Sequence, residues 1–141
     1  MIETVYIELP FEKITYLDRP EFHKEEKEFK EALTASMKTH GMKDPVYCWY
    51  NSKPYKDKIH IIVGNNRMTV AKELGIKTIK AVVTNFKADE FPLEGQVLKT
   101  DEEIKKLFYL PEQLQVRRDK NGDIDQVTPA NYKGKVREEY V

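Results

Sequence analysis

The sequence has a single cysteine, Cys48, among its 141 residues. One cysteine excludes an internal disulfide framework and is typical of a protein from a reducing compartment. Its neighbours Tyr47 and Trp49 favour a strand position. A packed, unreactive thiol is therefore the preferred interpretation, and a reactive thiol is the less favoured alternative.

The sequence also lacks an excess of charge of either sign, since Lys and Arg number 24 and Asp and Glu number 24. Non-specific affinity for nucleic acid grows with the number of phosphates that Lys and Arg neutralise, so this balance argues against it while leaving room for a local basic patch. No apolar stretch approaches the roughly 20 residues that span a bilayer, and the N-terminus has no signal-peptide pattern. We expect a cytoplasmic protein without a membrane segment.

Paired metal ligands are lacking as well. Asp119 begins a run that matches a calcium loop in its acidic residues, but Ile124 stands where Gly is needed and Ala130 where a bidentate carboxylate is needed. A β-hairpin is therefore preferred for this run, and we predict no metal site. The three histidines do not have the spacing of paired metal ligands: His23, His40 and His60.

The remaining composition, 40% hydrophobic and 34% charged, is that of a globular protein, and its length suits one domain. Alternating apolar residues predict a strand over 4–9, and a loop is expected over 11–22. Aromatic and β-branched residues predict another strand over 46–50. Between them, apolar residues at helical spacing predict a long helix over 21–40 that ends at Gly41: Phe22, Phe29, Leu33 and Met37.

The best-defined local pattern lies between Ile59 and Val83. It reads as a strand over 59–63, a sharp turn at Gly64-Asn65-Asn66, a short helix closed by Gly75, and a returning strand. This order and length are typical of a compact βαβ unit.

The turn at the start of this short helix is a candidate anion site. The first N–H groups of a helix have no intrahelical acceptor, and the helix dipole favours negative charge there. Arg67 in the first turn would add a positive charge. Asn65 and Asn66 can form hydrogen bonds but cannot act as a general base or a cationic clamp, so binding is better supported than catalysis. The alternative is that both asparagines only turn the chain and cap the helix while Arg67 packs locally.

The chain after Asn85 gives weaker signals. A short helix is predicted over 101–109, with Thr100 as its N-cap and Glu103 completing a capping box. Asn121-Gly122 predicts the two-residue turn of a hairpin over 114–128. The register of that turn pairs Lys120 with Asp123, Arg118 with Asp125 and Val116 with Val127.

The order of these elements resembles the N-terminal domain of ParB-like proteins, in the ParB/sulfiredoxin superfamily, over about residues 4–85. In that family a helix closes on a Ser, apolar residue and Gly before a Pro-led strand, a Gly-x-x-Arg turn opens the next helix, and a helix end of the AKELG type precedes a strand. The matching residues are Leu33, Ser36, Met37, His40, Gly41 and Pro45, then Gly64 and Arg67, then 71–75 and 79–83.

The resemblance implies one α+β domain, a small mixed sheet packed by helices, with a C-terminal helix and β-hairpin. We expect a ParB/sulfiredoxin-like core over 1–90. The C-terminal extension over 91–141 is expected to pack on the same domain.

The resemblance also implies a role for the turn. Members of the ParB type hold nucleotide phosphates in a Gly-Glu-Arg-Arg turn, with CTP in partition proteins and ATP or ADP in small-molecule kinases of the fold. Gly64 and Arg67 match that turn, whereas Asn65 and Asn66 replace its Glu and first Arg. Sulfiredoxins carry their reactive cysteine where this chain has Asn65, so sulfiredoxin activity is not expected.

Two further residues enter the candidate site through the resemblance. Arg19 stands where family members have a loop residue that faces the nucleotide, and Ser36 lies near the end of the first helix, which approaches the turn in this fold. The Asn-x-x-Arg helix of partition members is not found over 85–110, and the DNA-binding and dimerisation domains of those proteins do not follow. We therefore expect a stand-alone domain without partition function.

The predicted function is binding of a nucleotide or other phosphate ligand by a bacterial or phage domain. Any reaction would be NTP hydrolysis or phosphoryl transfer with Mg²⁺, for which no catalytic residue is identified. The alternative is a non-catalytic regulatory or DNA-associated protein that has lost nucleotide chemistry and binds DNA, another protein or a second copy of itself; a nuclease is a third candidate. The predicted binding residues are Gly64, Asn65, Asn66, Arg67, Arg19 and Ser36.

Overall fold

Strands and helices follow one another along the chain much as the sequence patterns predict. A computed structural model describes residues 2–18, 26–51, 53, 55–87, 89 and 94–131. Its elements are β1 (Ile2–Pro10), β2 (Ile14–Thr15), α1 (Lys27–His40), β3 (Val46–Tyr50), β4 (Ile59–Val63), α2 (Asn65–Leu74), β5 (Thr78–Lys87), β6 (Gln96–Val97), α3 (Asp101–Lys105), β7 (Leu114–Arg118) and β8 (Ile124–Pro129). This is an α+β fold.

Six strands form one mixed sheet in the order β2-β4-β3-β5-β1-β6, while β7 and β8 form a separate hairpin. β3 is antiparallel to β4 and parallel to β5. The strands on either side of α2 therefore run in opposite directions, and the prediction of a βαβ unit over 59–83 is wrong. β4 ends and β5 begins at the same end of the sheet, so the helix only has to cross from one to the other. Length and hydrophobic pattern do not reveal strand direction.

β3 is the centre of the fold because it is buried on both faces. All five of its residues are buried. Val46 and Cys48 face a core beneath α1 and α2, so the prediction of a packed thiol at Cys48 is confirmed. Tyr47 and Trp49 face a second core on the opposite side, formed with α3 and the hairpin. Alternate side chains of one strand thus hold two layers together.

A hydrogen bond from Tyr47 attaches the C-terminal hairpin to the sheet, and Trp49 holds the Tyr47 hydroxyl. The Oη of Tyr47 donates to the backbone oxygen of Asp125 at 3.2 Å, and Nε1 of Trp49 donates to the Oη of Tyr47 at 3.1 Å.

The predicted capping box is confirmed, with Thr100 as the N-cap of α3 and Glu103 as its partner. The division of the chain near residue 90 stays a prediction.

The long helix ends as predicted, but fewer of its apolar residues are buried than expected. The backbone N–H of Gly41, at φ 67°, donates to Met37 and ends α1, whereas the predicted start over 21–25 lies outside the described residues. Phe29 is 52% exposed, which contradicts its placement on the buried face. Lys30 of α1 pairs with Glu73 near the end of α2 at 2.9 Å. Within the described ranges, no helix is long and apolar enough to cross a membrane.

The hairpin turn has one more residue than predicted. The N–H of Asp119 donates to the oxygen of Asp123 at 2.9 Å, and Gly122 has a φ of 84°. This is a three-residue loop with a left-handed glycine, and an irregularity before Arg118 places that residue opposite Ile124. The predicted pairs of Arg118 with Asp125 and of Lys120 with Asp123 are therefore wrong, while Val116 does lie opposite Val127. The Asp119 carboxylate, which accepts from two N–H groups of the loop, favours the longer turn.

His60 on β4 is a buried titratable group in this sheet. Its side chain is 2% exposed, its ring lies 4.6 Å from that of Tyr55, and Trp49 stands opposite it on β3. Burial lowers the pKa of His60 from 6.5 to about 4. The folded protein therefore leaves this imidazole neutral in a pH range where the unfolded chain protonates it.

We expect the free energy of unfolding to fall as the pH drops from 7.5 to 5. The unfolded chain gains a proton at His60 near pH 6.5 and the folded chain does not, which removes about 2 kcal/mol at pH 5. Urea unfolding of the wild type and of His60→Phe at both pH values measures this contribution. The variant should lose less stability by that amount, and an equal pH dependence of the two proteins would contradict the assignment.

Candidate functional site

The turn that opens α2 is a glycine turn, as the sequence predicts. Gly64 follows β4 with φ 129° and ψ 13°, and its carbonyl accepts the first helical hydrogen bond from Met68 at 3.0 Å. The N-cap is therefore Gly64, and Asn65 and Asn66 are the first two helical residues. The interpretation of the asparagines as caps is wrong, because the capping position has no side chain.

The position of Gly64 requires the absence of a side chain. A Cβ there would lie 2.7 Å from Cγ1 of Val46 and 3.3 Å from Nη2 of Arg67. A φ of 129° is also strained for any residue with a Cβ. The turn thus presses directly on the first residue of β3.

Arg67 fastens this turn to the loop that leads into β3. Its Nη1 donates to the backbone oxygens of Asp44 at 2.7 Å and Pro45 at 3.3 Å. Burial lowers the pKa of Arg67, and the nearby Asp44 carboxylate raises it. An arginine stays charged in such surroundings. Its charge therefore lies at the turn, but Nη1 is committed to the protein.

The Arg67 charge also reaches the thiol in the core. Burial raises the pKa of Cys48 well above its ordinary value, and Arg67 partly counteracts this rise. Cys48 therefore stays a thiol and is not a nucleophile near neutral pH.

Asn65 holds a second segment of chain over α2. Its Oδ1 accepts a hydrogen bond from the N–H of Leu17 at 2.8 Å. Nζ of Lys72, two turns further along the helix, pairs with Asp18 at 2.7 Å. The segment at 17–18 therefore lies along α2, and Asn65 has a structural role in addition to its predicted one.

The structure brings together four of the six predicted site residues. Gly64, Asn65 and Arg67 have the contacts given above, and Asn66 is half-buried between them. Ser36 is half-buried on α1, and among the described residues no hydrogen bond joins it to 64–67. Arg19 lies outside the described residues. A ligand-binding role for this set stays a prediction.

The acidic residues near the turn are engaged by the protein. Oδ1 of Asp44 accepts a hydrogen bond from the N–H of Tyr109 at 2.7 Å, and Asp18 pairs with Lys72. In the ranges that the structure describes, His, Cys, Asp and Glu nowhere gather in a group of three that could hold a metal ion. Among the described residues, no group of protein side chains forms a complete Mg²⁺ site.

The sequence patterns did not predict the contacts that join Asp44 to Arg67 and to Tyr109. Asp44 contacts Arg67 through its carbonyl and Tyr109 through its carboxylate. Tyr109 is 65% exposed, with Nζ of Lys43 4.7 Å from the centre of its ring. The Asp-Pro pair before β3 marks a loop, but nothing local indicates a partner 65 residues away.

A comparison with known protein families matches the part of the chain that contains this turn. The sequence model of the ParB N-terminal domain matches residues 2–92. No curated protein matches the chain.

Solved structures are similar at low identity. C-terminally truncated ParB from Caulobacter crescentus, complexed with CTP-gamma-S, is 21% identical with a TM-score of 0.46, and the match covers 60% of this chain and 47% of that one. A free serine kinase in complex with AMP is 20% identical with a TM-score of 0.44, over 83% of this chain and 47% of that one. Sulfiredoxin from Arabidopsis thaliana is 22% identical with a TM-score of 0.41, over 55% of this chain and 82% of that one. The chain thus spans less than half of the ParB and kinase structures.

Replacing Gly64 by Ala should lower the free energy of unfolding by about 3 kcal/mol, because a Cβ meets Val46 and the backbone is strained. Gly75→Ala is the matched control, since Gly75 also has a positive φ, 71°, but an added Cβ meets nothing within 4 Å. The control should lose about 1 kcal/mol. Urea unfolding measures both, and equal losses would show that the contact with Val46 is not limiting.

Proposed function

The chain belongs to the ParB N-terminal domain family, and on this premise we propose that it binds the phosphates of a nucleotide at the turn that opens α2. The family match confirms the resemblance and the ParB/sulfiredoxin-like fold class. The observation that carries the proposal is the uncapped glycine start of α2. The N–H groups of Asn65, Asn66 and Arg67 have no intrahelical acceptor, and Gly64 offers them no side chain.

The side chains of the turn support this role unequally. Arg67 holds the turn against Asp44 and Pro45 and supplies positive charge at short range, while its two hydrogen bonds use Nη1 alone. The bond of Asn65 to Leu17 uses Oδ1 and leaves the amide nitrogen, a donor, outside that bond. Backbone amides therefore form the centre of the proposed site, and the side chains surround it.

Binding without turnover is the form of the proposal that the contacts favour. Phosphoryl transfer or NTP hydrolysis needs a group that orients or deprotonates the nucleophile. The two carboxylates near the turn, Asp18 and Asp44, already accept hydrogen bonds from Lys72 and Tyr109. Asn65 and Asn66 cannot accept a proton from water near neutral pH.

A second candidate function follows from the same contacts. Asn65 and Arg67 both hold other segments of the protein in place, which is what a domain that retains the fold without nucleotide chemistry would keep. Such a protein would act as a regulatory module through contact with DNA, another protein or a second copy. The two candidates differ in whether any nucleotide binds.

Calorimetric titration with ATP, CTP, GTP and their diphosphates, with and without Mg²⁺, tests the proposal. We expect at least one nucleotide to bind and Asn65→Asp to weaken it about tenfold or more, because the new charge repels phosphate. This substitution keeps an acceptor for Leu17 and places a negative charge at a helix start, where it is favourable. The fold should therefore survive.

Asn131→Asp is the matched control, since it makes the same change at an exposed residue. The affinity of this control variant for the nucleotide should stay within about twofold of the affinity of the wild type. An absence of binding by every nucleotide would favour the regulatory candidate. Equal weakening in both variants would place any nucleotide elsewhere on the protein.

A further inference from the structure

A cavity of about 390 Å³ lies between the end of α1 and the start of β5. Its apolar lining comes from Met37, Met42 and Ile76, which also border the core beneath the helices. Thr78 is among the polar residues that line it. The volume falls within the usual range for small-molecule sites. None of the residues 64–67 lines it, so it is separate from the turn of α2.

The ionisable residues among those that line this cavity are two lysines and a histidine: Lys38, His40 and Lys80. Among the described residues that line it, none carries a carboxylate. Glu8 lies opposite Lys80 in the register of β1 and β5 but does not border the cavity. A cavity with charge of one sign attracts small ions of the other sign.

A second cavity of about 390 Å³ shows that this charge is not a general property of the surface. It is lined by Lys13 and Lys58, but also by Glu12 and Asp57, so its charges balance. The whole chain has a net charge of zero. The basic cavity is therefore a local departure from that balance.

We propose that the basic cavity binds a small aromatic anion, a carboxylate or a phosphate ester. The anionic group lies between Lys38 and Lys80, where ammonium groups donate to its oxygens. The ring lies on the two methionines, since thioethers make favourable contacts with aromatic rings and adapt to their shape. The apolar residues and the basic residues together favour a ligand that has both an apolar ring and an anionic group.

Methionine methyl resonances provide a direct test. The chain has four methionines, of which Met37 and Met42 line the cavity and Met68 is buried in the first turn of α2. A ¹³C-methyl-labelled protein is titrated with 2-naphthoate, 2-naphthyl phosphate and uncharged 2-naphthol. We expect both anions to shift Met37 and Met42 but not Met68, and 2-naphthol to bind at least about tenfold more weakly than the anions.

Paired variants test the role of charge. Lys38→Gln combined with Lys80→Gln should weaken both anions about tenfold and leave 2-naphthol unchanged. Lys13→Gln combined with Lys58→Gln removes the same charge at the balanced cavity and should change affinity by less than about twofold. An unshifted Met68 resonance verifies that each variant is folded.

Three results would overturn the proposal. The first is no shift of Met37 or Met42 with either anion at millimolar concentration. The second is equal binding of 2-naphthol and the anions. The third is equal weakening by the two paired variants, which would indicate a general effect of net charge.

Discussion

The start of α2 presses on the start of β3 at a distance that only glycine allows. The contact of Gly64 with Val46 and the hydrogen bonds from Arg67 to Asp44 and Pro45 join one helix end to one strand end. Because β3 is buried on both faces, this junction ties the turn to the most enclosed strand of the sheet. A candidate ligand site built there rests on a fixed scaffold, so its N–H groups need little reordering when a ligand binds.

The same junction changes what the motif means. Gly64 and Arg67, the two residues that match the family's turn, are also the two that hold the turn in place. A match at these two positions therefore reflects the shared fold before it indicates a shared ligand. The positions that depart from the family pattern are Asn65, whose side chain accepts a hydrogen bond from Leu17, and Asn66. Phosphate recognition would then depend on backbone amides more than on a cationic clamp.

Features that depend on neighbouring residues could be predicted from the sequence. The end of α1 at Gly41, the end of α2 at Gly75 and the capping box of α3 are all set within a few residues. The strand over 46–50 followed from its aromatic and β-branched residues, and the packed thiol of Cys48 followed from that strand position. Strand direction, the partner of Arg67 and the link from Asp44 to Tyr109 could not be predicted, because they depend on residues far apart in sequence. The predicted turn length and register of the hairpin were wrong for a local reason. The Asp119 carboxylate stabilises a longer turn than Asn121-Gly122 alone indicates.

The central claim concerns three backbone N–H groups, and an amide-resolved ¹H–¹⁵N titration with nucleotide tests it most directly. The account predicts that the backbone amides of Asn65, Asn66 and Arg67 shift downfield together as phosphate oxygens accept their hydrogen bonds. The Arg67 contact with Asp44 and Pro45 should persist in the complex. Unmoved amides at these three positions, under conditions where the nucleotide binds, would contradict the account.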